Sequence, residues 1–173
     1  MSKSVTLQGN CRLKTYQSYV GLGSNLQDPV LQVDLATKRL RELDNIELVA
    51  QSSVYQSPPM GPQDQADYIN VVLELRTSLS PLALLGELQA IENQFGRDRS
   101  VGHWGPRIID LDILLYANRE IDLKRLQIPH PGLCEREFMV IPLLEIAPTL
   151  SLPGGKRLLD SLGKMNTDML QKL

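Results

Sequence analysis

Midway along the chain, Trp104-Gly105-Pro106-Arg107-Ile108-Ile109-Asp110-Leu111-Asp112-Ile113-Leu114-Leu115-Tyr116 sets the terms for the rest. Gly105-Pro106 signals a turn, and the bounded apolar run after it predicts a strand. Side chains alternate faces along a strand. Ile109, Leu111, Ile113 and Leu115 therefore share one wholly apolar face. Asp110 and Asp112 share the other, between Ile108 and Leu114. Aspartate is disfavoured in strands, and a buried carboxylate without a partner costs several kcal/mol. Two side by side also repel. Either this face is wet, or something positive meets it. Arg107 is one candidate. Mg2+ is a better one, because it binds through one or two carboxylates together with substrate phosphates.

A chain of 173 residues is long enough for one domain with a real core. The apolar fraction of 42% sets disorder aside. A net charge of -2 argues against a general nucleic-acid binder. No apolar run reaches the roughly 18 residues that a membrane span needs. The N-terminus lacks the apolar stretch of a secretory signal, so a cytoplasmic location is expected. Cys11 and Cys134 are isolated, without metal-ligand spacing, and read as free thiols.

Residues 1–17 carry Lys3, Arg12 and Lys14 but no acid, and their apolar pattern is poor. They read as a flexible extension ahead of a single domain over 18–163, with 164–173 a fraying tail. Tyr19-Val20-Gly21-Leu22-Gly23-Ser24-Asn25 predicts a strand running into a Gly-rich turn. The third glycine of a dinucleotide loop is missing, as is the Gly-Lys-Ser/Thr of a P-loop. A tight turn with close backbone packing is the better reading. Asp28 and Pro29 then start a helix as cap and first residue. Its apolar stripe takes in Leu31, Leu35 and Leu40, with Leu43 near its end.

Ile46 to Tyr55 predicts the second strand. Ser57-Pro58-Pro59-Met60-Gly61-Pro62 is a stiff loop, because proline fixes φ and removes donors. Tyr68 to Arg76 predicts a third strand, with Tyr68, Asn70, Val72 and Glu74 on one face. Asn70 is unusual there, and its amide needs partners from a ligand or water. Ser80-Pro81 starts a second helix. Leu84, Leu88, Ile91 and Phe95 recur at helical spacing, and Gly96 stops it. Gln89 and Glu92 lie three apart on a neighbouring face. The polar linker that follows carries Arg97 and Arg99, which with Arg107 could converge on the two aspartates. A guanidinium matches phosphate oxygens as a planar fork; a solvated basic loop is the plainer alternative.

Beyond Tyr116 come a turn, a short strand around Ile121 and the proline-stiffened Ile128-Pro129-His130-Pro131. A helical Met139 to Ile146 and a short helix Leu158 to Leu162 follow. His130 and Phe138, taken alone, read as structural. The order strand, helix, strand, strand, helix, strand is the split pattern of a ferredoxin-like α+β fold. That is a βαββαβ core whose antiparallel sheet is flanked by helices, plus a C-terminal extension. Function must come from the site.

Arg97-x-Arg99, followed by Trp104-Gly105-Pro106-Arg107-x-x-Asp110-Leu111-Asp112, resembles the signature of the 6-hydroxymethyl-7,8-dihydropterin pyrophosphokinase family. The resemblance runs from about Tyr19 to Ser161. It takes in Gly21-x-Gly23-Ser24-Asn25, the Ser57 to Gln63 loop, Asp67-Tyr68-x-Asn70 and Pro129-His130. That family moves a pyrophosphoryl group from ATP to the pterin's hydroxymethyl, releasing AMP, in folate synthesis. The resemblance implies that Asp110 and Asp112 hold two Mg2+ ions, while Arg97, Arg99 and Arg107 steady charge on the phosphates. It matches Gln89, Glu92, Arg99, Trp104, Arg107, Ile113, Arg125, Gln127, His130 and Arg136 to the ATP site. It matches Ser57, Pro58, Met60, Tyr68, Asn70, Trp104 and Phe138 to the pterin pocket. It further implies two small-molecule substrates, ATP and the pterin; with the charge and apolar-run lengths above, a monomer with no nucleic-acid or membrane partner is expected.

Aromatic rings can pack on a pterin, and an amide can pair with its edge. Phosphoryl transfer needs positioning and charge neutralisation more than covalent chemistry. Many relatives are basic where this chain has Gly132 and His103, and often have Thr where it has Ser57. Two rival readings are a nucleotidyltransferase and a catalytically inactive pterin- or nucleotide-binding protein. In the first, the Gly-Ser turn and the Asp-x-Asp strand sit close in sequence; here Ser24 and Asp110 are far apart.

Overall fold

The computed structural model describes residues 14–97 and 106–173. Cys11, Arg99, His103, Trp104 and the other residues of 98–105 lie outside them. Strand β1 (Tyr16–Ser24) leads into helix α1 (Pro29–Arg41), then β2 (Ile46–Gln51), β3 (Tyr55–Ser57) and β4 (Tyr68–Thr77). Helix α2 (Pro81–Gln94), β5 (Asp110–Tyr116) and the hairpin of β6 (Ile121–Leu123) and β7 (Leu126–Ile128) follow. Helix α3 (Glu137–Ile146), a 3-10 helix (Leu158–Lys164) and β8 (Gln171–Lys172) complete the chain.

Strand β1 lies between β4 and β5, antiparallel to both. β2 and β3 pair in turn along the other edge of β4. This is the expected ferredoxin-like βαββαβ core. The apolar face that joins Val20, Leu22, Leu73, Leu75, Leu111 and Ile113 packs against Leu40 of α1 and Leu84 and Leu88 of α2. Tyr19, Val72, Leu114 and Leu115 form a second core with Met139, Val140 and Leu143 of α3 and Leu158 beyond it. Each fully buried leucine stabilises the fold by about 1.5–3 kcal/mol relative to exposure.

The helix starts follow their sequence signals. Asp28 accepts Leu31 N at 3.3 Å, and Ser80 accepts Ala83 N at 3.3 Å. Gly96 ends α2 at φ 78°, a conformation glycine adopts without steric cost.

Five expectations are corrected. The stripe of α1 runs through Val33, Ala36, Thr37 and Leu40, while Leu31 and Leu35 are exposed. Thr37 can be buried because its hydroxyl donates to Val33 O at 2.8 Å. The predicted strand from Ile46 to Tyr55 is two strands. At the break, Ser52 Oγ accepts Val72 N at 3.0 Å, so a side chain replaces a backbone acceptor. Leu115 leaves the face of Leu111 and Ile113, because Leu114 is an extra residue opposite Tyr19 and Val20. Such a bulge flips the alternation beyond it. The N-terminal extension ends earlier, since Tyr16 is already in β1. Its ring lies 5.5 Å from that of Tyr116, with the Arg119 guanidinium over both. The tail, expected without regular structure, carries a strand: β8 pairs with β3, and Leu173 N donates to Val54 O at 2.9 Å.

Candidate active site

The antiparallel registers place glycines at the centre of the site. Gly23 sits opposite Asp110 on one side and Asn70 on the other; Gly21 sits opposite Asp112 and Val72. The Gly-x-Gly is therefore strand, not turn. It forms the floor of a cavity of about 380 Å³ that opens between β5 and β4. A Cβ added at Gly23 would lie 3.6 Å from Asn70 Oδ1 and 3.9 Å from Tyr68 Cδ1, and would fill this floor.

One wall is charged. Asp110 is held between Arg97 and Arg107, and Arg97 also reaches Glu92. Glu92 is buried beneath them, where it accepts Leu111 N at 2.9 Å. Burial pushes its carboxyl up to about 7, against the Leu111 hydrogen bond and the Arg97 charge. Arg97 follows directly on the Gly96 stop, so the end of α2 aims it. Arg107 is aimed by Asn25, which pairs with its backbone through Asn25 N to Arg107 O at 3.0 Å and Arg107 N to Asn25 Oδ1 at 2.8 Å.

Asp112 faces the cavity, its side chain 43% exposed. Desolvation by the concave wall and then the Asp110 charge raise its carboxyl to about 7, despite Arg97, Arg107 and Arg136. His130 Nε2 lies 4.0 Å from Asp112 Oδ2. Burial, then Arg136, lower that imidazole to about 4, so it is neutral at pH 7. Gly132 N donates to its Nδ1 at 3.0 Å, which leaves the proton on Nε2, toward Asp112. A Cβ at Gly132 would overlap Arg136 Nε and lie 2.7 Å from its Cζ. Gly132 thus makes the space that the Arg136 guanidinium occupies.

The other wall is amide and aromatic. Asn70 Nδ2 donates to Ser57 Oγ at 2.9 Å and to Tyr68 O at 3.3 Å. Its Oδ1 makes no hydrogen bond among the described residues. Tyr68, Pro58 and Met60, together with Phe138 and Met139 of α3, line the same cavity.

Of the residues proposed from sequence, Ser57, Pro58, Met60, Tyr68, Asn70, Arg97, Arg107, Asp110, Asp112, His130, Arg136 and Phe138 all line this cavity. Glu92 stands behind the charged wall. Ile113 alternates with Asp112 and is buried under the sheet. Gln89, Arg125 and Gln127 do not line the cavity; Gln127 donates to Asp122 at 2.9 Å within the β6–β7 hairpin. The sequence reading missed Gln65, Pro131 and Met139. The first belongs to the polar run after the stiff loop, a signal that could have found it.

Among the described residues no group of three His, Cys, Asp or Glu side chains is poised to hold a metal. Two neighbouring carboxylates, one of them raised to about 7, are nonetheless the donor set that suits Mg2+ shared with phosphate oxygens.

A model of the family described as 7,8-dihydro-6-hydroxymethylpterin-pyrophosphokinase (HPPK) matches residues 19–148. The chain is 52% identical over 139 residues to the 2-amino-4-hydroxy-6-hydroxymethyldihydropteridine pyrophosphokinase of Haemophilus influenzae, covering 80% of this chain and 86% of that one. It is 44% identical over 155 residues to the enzyme of the same name from Pseudomonas aeruginosa, covering 90% and 95%. Among solved structures it resembles an HPPK-DHPS in complex with substrates, at TM-score 0.72 and 14% identity over 92% of this chain and 48% of that one. It also resembles Plasmodium falciparum HPPK-DHPS A437G with pteroate, at TM-score 0.70 and 12% identity over 93% and 47%. The chain spans about half the length of those solved chains. At such identity they speak for the fold alone. The match over the folded core and the identity to whole-length relatives lead to one assignment: the chain belongs to the 7,8-dihydro-6-hydroxymethylpterin-pyrophosphokinase family.

Proposed function

We propose that this cavity transfers the pyrophosphoryl group of ATP to the hydroxymethyl of 6-hydroxymethyl-7,8-dihydropterin, releasing AMP, as the family's pyrophosphokinase in folate biosynthesis. The observation that carries the reading is the division of one trough into two chemistries across a glycine floor. On the β4 side, Tyr68 and Phe138 offer flat faces to a pterin ring. The Oδ1 of Asn70, without a hydrogen bond among the described residues, offers an acceptor to the donors on the ring's edge. Ser57 holds the Asn70 amide in that orientation. The glycine floor then lets the hydroxymethyl approach the β5 side without meeting a side chain.

On the β5 side, Arg97, Arg107 and Arg136 supply the cationic surroundings that a triphosphate needs, with fork geometry matched to its oxygens. Neutral His130 contributes an Nε2–H donor rather than a second charge. Asp110 and Asp112 would hold Mg2+, two ions by the family resemblance, and the metal when bound neutralises phosphate charge and orients the displacement. Arg97 and Arg107 brace Asp110 for that role, and Glu92 braces Arg97. Arg99 and Trp104 belong to the same expectation but lie outside the described residues. We read the protein as a monomer working in the cytoplasm on two small substrates. Among the described residues no helix is long and apolar enough to cross a membrane.

The deciding experiment mixes the protein with ATP, Mg2+ and the hydroxymethyldihydropterin and follows the products. AMP formation that requires the pterin is expected. Pyrophosphate release would indicate a nucleotidyltransferase, and no product a binding protein.

A further inference from the structure

The pterin half of the cavity is framed by two elements that meet again well away from it. Helix α3 supplies Phe138 and Met139 from its first turn. Seven residues on, two helical turns along the same face, Glu145 reaches the segment that leads into β3. Its carboxylate accepts Ser53 Oγ at 2.7 Å, Ser53 N at 3.1 Å and Tyr55 OH at 2.9 Å. Lys172 of β8 donates to the same carboxylate at 2.9 Å. β3 is three residues long, ends on Ser57 and runs straight into Pro58, both in the pocket wall. Its outer neighbour is β8, through Tyr55 opposite Lys172 and Gln56 opposite Gln171.

We infer that Glu145, locked by Lys172, is a positioning residue that sets the width of the pterin cleft. One carboxylate ties the helix bearing Phe138 to the strand bearing Ser57, so the gap between these walls is fixed from outside the cavity. The inference rests on the pterin reading of this half. It carries a selective consequence, because Arg97, Arg107 and the two aspartates hang on β5 and the end of α2, at the other edge of the core sheet, while Arg136, at the N-cap of α3, is tied to the preceding turn through its N–H to Gly132 O at 3.1 Å. Loosening Glu145 therefore changes the pterin side far more than the ATP side.

The test compares wild type with Glu145→Ala and the milder Tyr55→Phe, which removes one donor and keeps the protein folded should the first variant not fold. Calorimetry is run with the pterin and, separately, with Mg2+ and an unreactive ATP analogue. Amide exchange is followed over Ser57–Met60 and over β5. The expected result is a pterin Kd raised about tenfold in Glu145→Ala and less in Tyr55→Phe, with the nucleotide Kd within about twofold. Exchange should quicken at Ser57–Met60 and not in β5. Equal loss of both ligands, or unchanged pterin affinity despite a lower melting temperature, overturns the inference. Should wild type bind no pterin, the functional reading falls by itself. The exchange comparison then decides alone: quickening confined to Ser57–Met60 upholds the positioning role, and none removes it.

Discussion

Replacing Asp112 by Asn should make the free protein more stable and nearly inactive. Its carboxyl is raised from 3.8 to about 7 by desolvation and by Asp110. At about 1.4 kcal/mol per pKa unit, that shift corresponds to at most about 4 kcal/mol of destabilisation when ionised. The side chain is 43% exposed, and solvent screening reduces the figure to roughly 1 kcal/mol. The sign follows from the raised pKa. The unfavourable charge is absent below about pH 4, grows through the interval and is complete above about pH 7. Asp112→Asn should therefore melt about 2–4 °C above wild type at pH 8 without ligands, and the difference should vanish near pH 4. Turnover should fall at least about 10²-fold, as for loss of a preorganised electrostatic group. Asp110→Asn should behave oppositely in stability, losing about 2 kcal/mol, because Arg97 and Arg107 lose the charge between them. Scanning fluorimetry against pH and an AMP-release assay at saturating Mg2+ check both. Turnover of Asp112→Asn within about tenfold of wild type, about 1.4 kcal/mol, refutes its role in the transfer. A melting temperature below wild type at pH 8 refutes the electrostatic account.

Four further outcomes are expected. Asn70→Ala should weaken pterin binding by about 1–3 kcal/mol and leave Mg-ATP binding unchanged; calorimetry showing equal losses would point to a folding defect. Gly23→Val should fold, since β-branched residues suit strands, yet block the pterin, and unimpaired pterin binding would mean the floor is not used. Gly132→Ala should displace the Arg136 guanidinium and raise the Kd for Mg-ATP up to about tenfold; an unchanged value would show that Arg136 does not meet the nucleotide. His130 should titrate near pH 4 rather than 6.5, and its charging on unfolding should lower stability as pH falls through that interval. NMR of His103→Ala leaves one imidazole to follow, and a midpoint near 6.5 would overturn its burial as the controlling influence.

What could be read beforehand depended on whether a signal was local. Period-2 alternation placed Asp110 and Asp112 on one face correctly, because those residues precede the bulge. It failed at Leu115, because a single extra residue at Leu114 leaves no mark in composition. The caps Asp28 and Ser80 and the stop Gly96 were legible, being set by side chains within a few residues. The rotation of α1 was not, because Leu31, Val33, Leu35 and Leu40 offer two helical stripes and only packing on the sheet chooses between them. Gly21 and Gly23 looked like a turn since their use depends on partners about 50 and 90 residues away in sequence. Asn70 stood out for the opposite reason: a buried amide in a strand is a local anomaly whatever surrounds it. The pairing of β8 with β3 joins residues more than 110 apart, and no periodicity over two residues could announce it.

The cross-strand register explains why this fold suits a two-substrate transfer. One rung crosses the sheet through Asp110, Gly23, Asn70, Tyr55 and Lys172. Strands lie about 4.8 Å apart, so the carboxylate and the amide stand roughly 10 Å from one another with only a glycine between. A larger residue at the centre would put a side chain where the transferred group must pass. A shorter separation would set the ring against the aspartates. The positions flanking this gap are held by separate supports: Glu92 and Asn25 behind Arg97 and Arg107, Ser57 behind Asn70, and Glu145 behind Ser57 and Phe138. Because Glu92 and Glu145 attach at opposite edges of the sheet, each substrate's wall can be altered largely without the other. That separation is what makes the pterin-selective and nucleotide-selective variants above expected from one cavity.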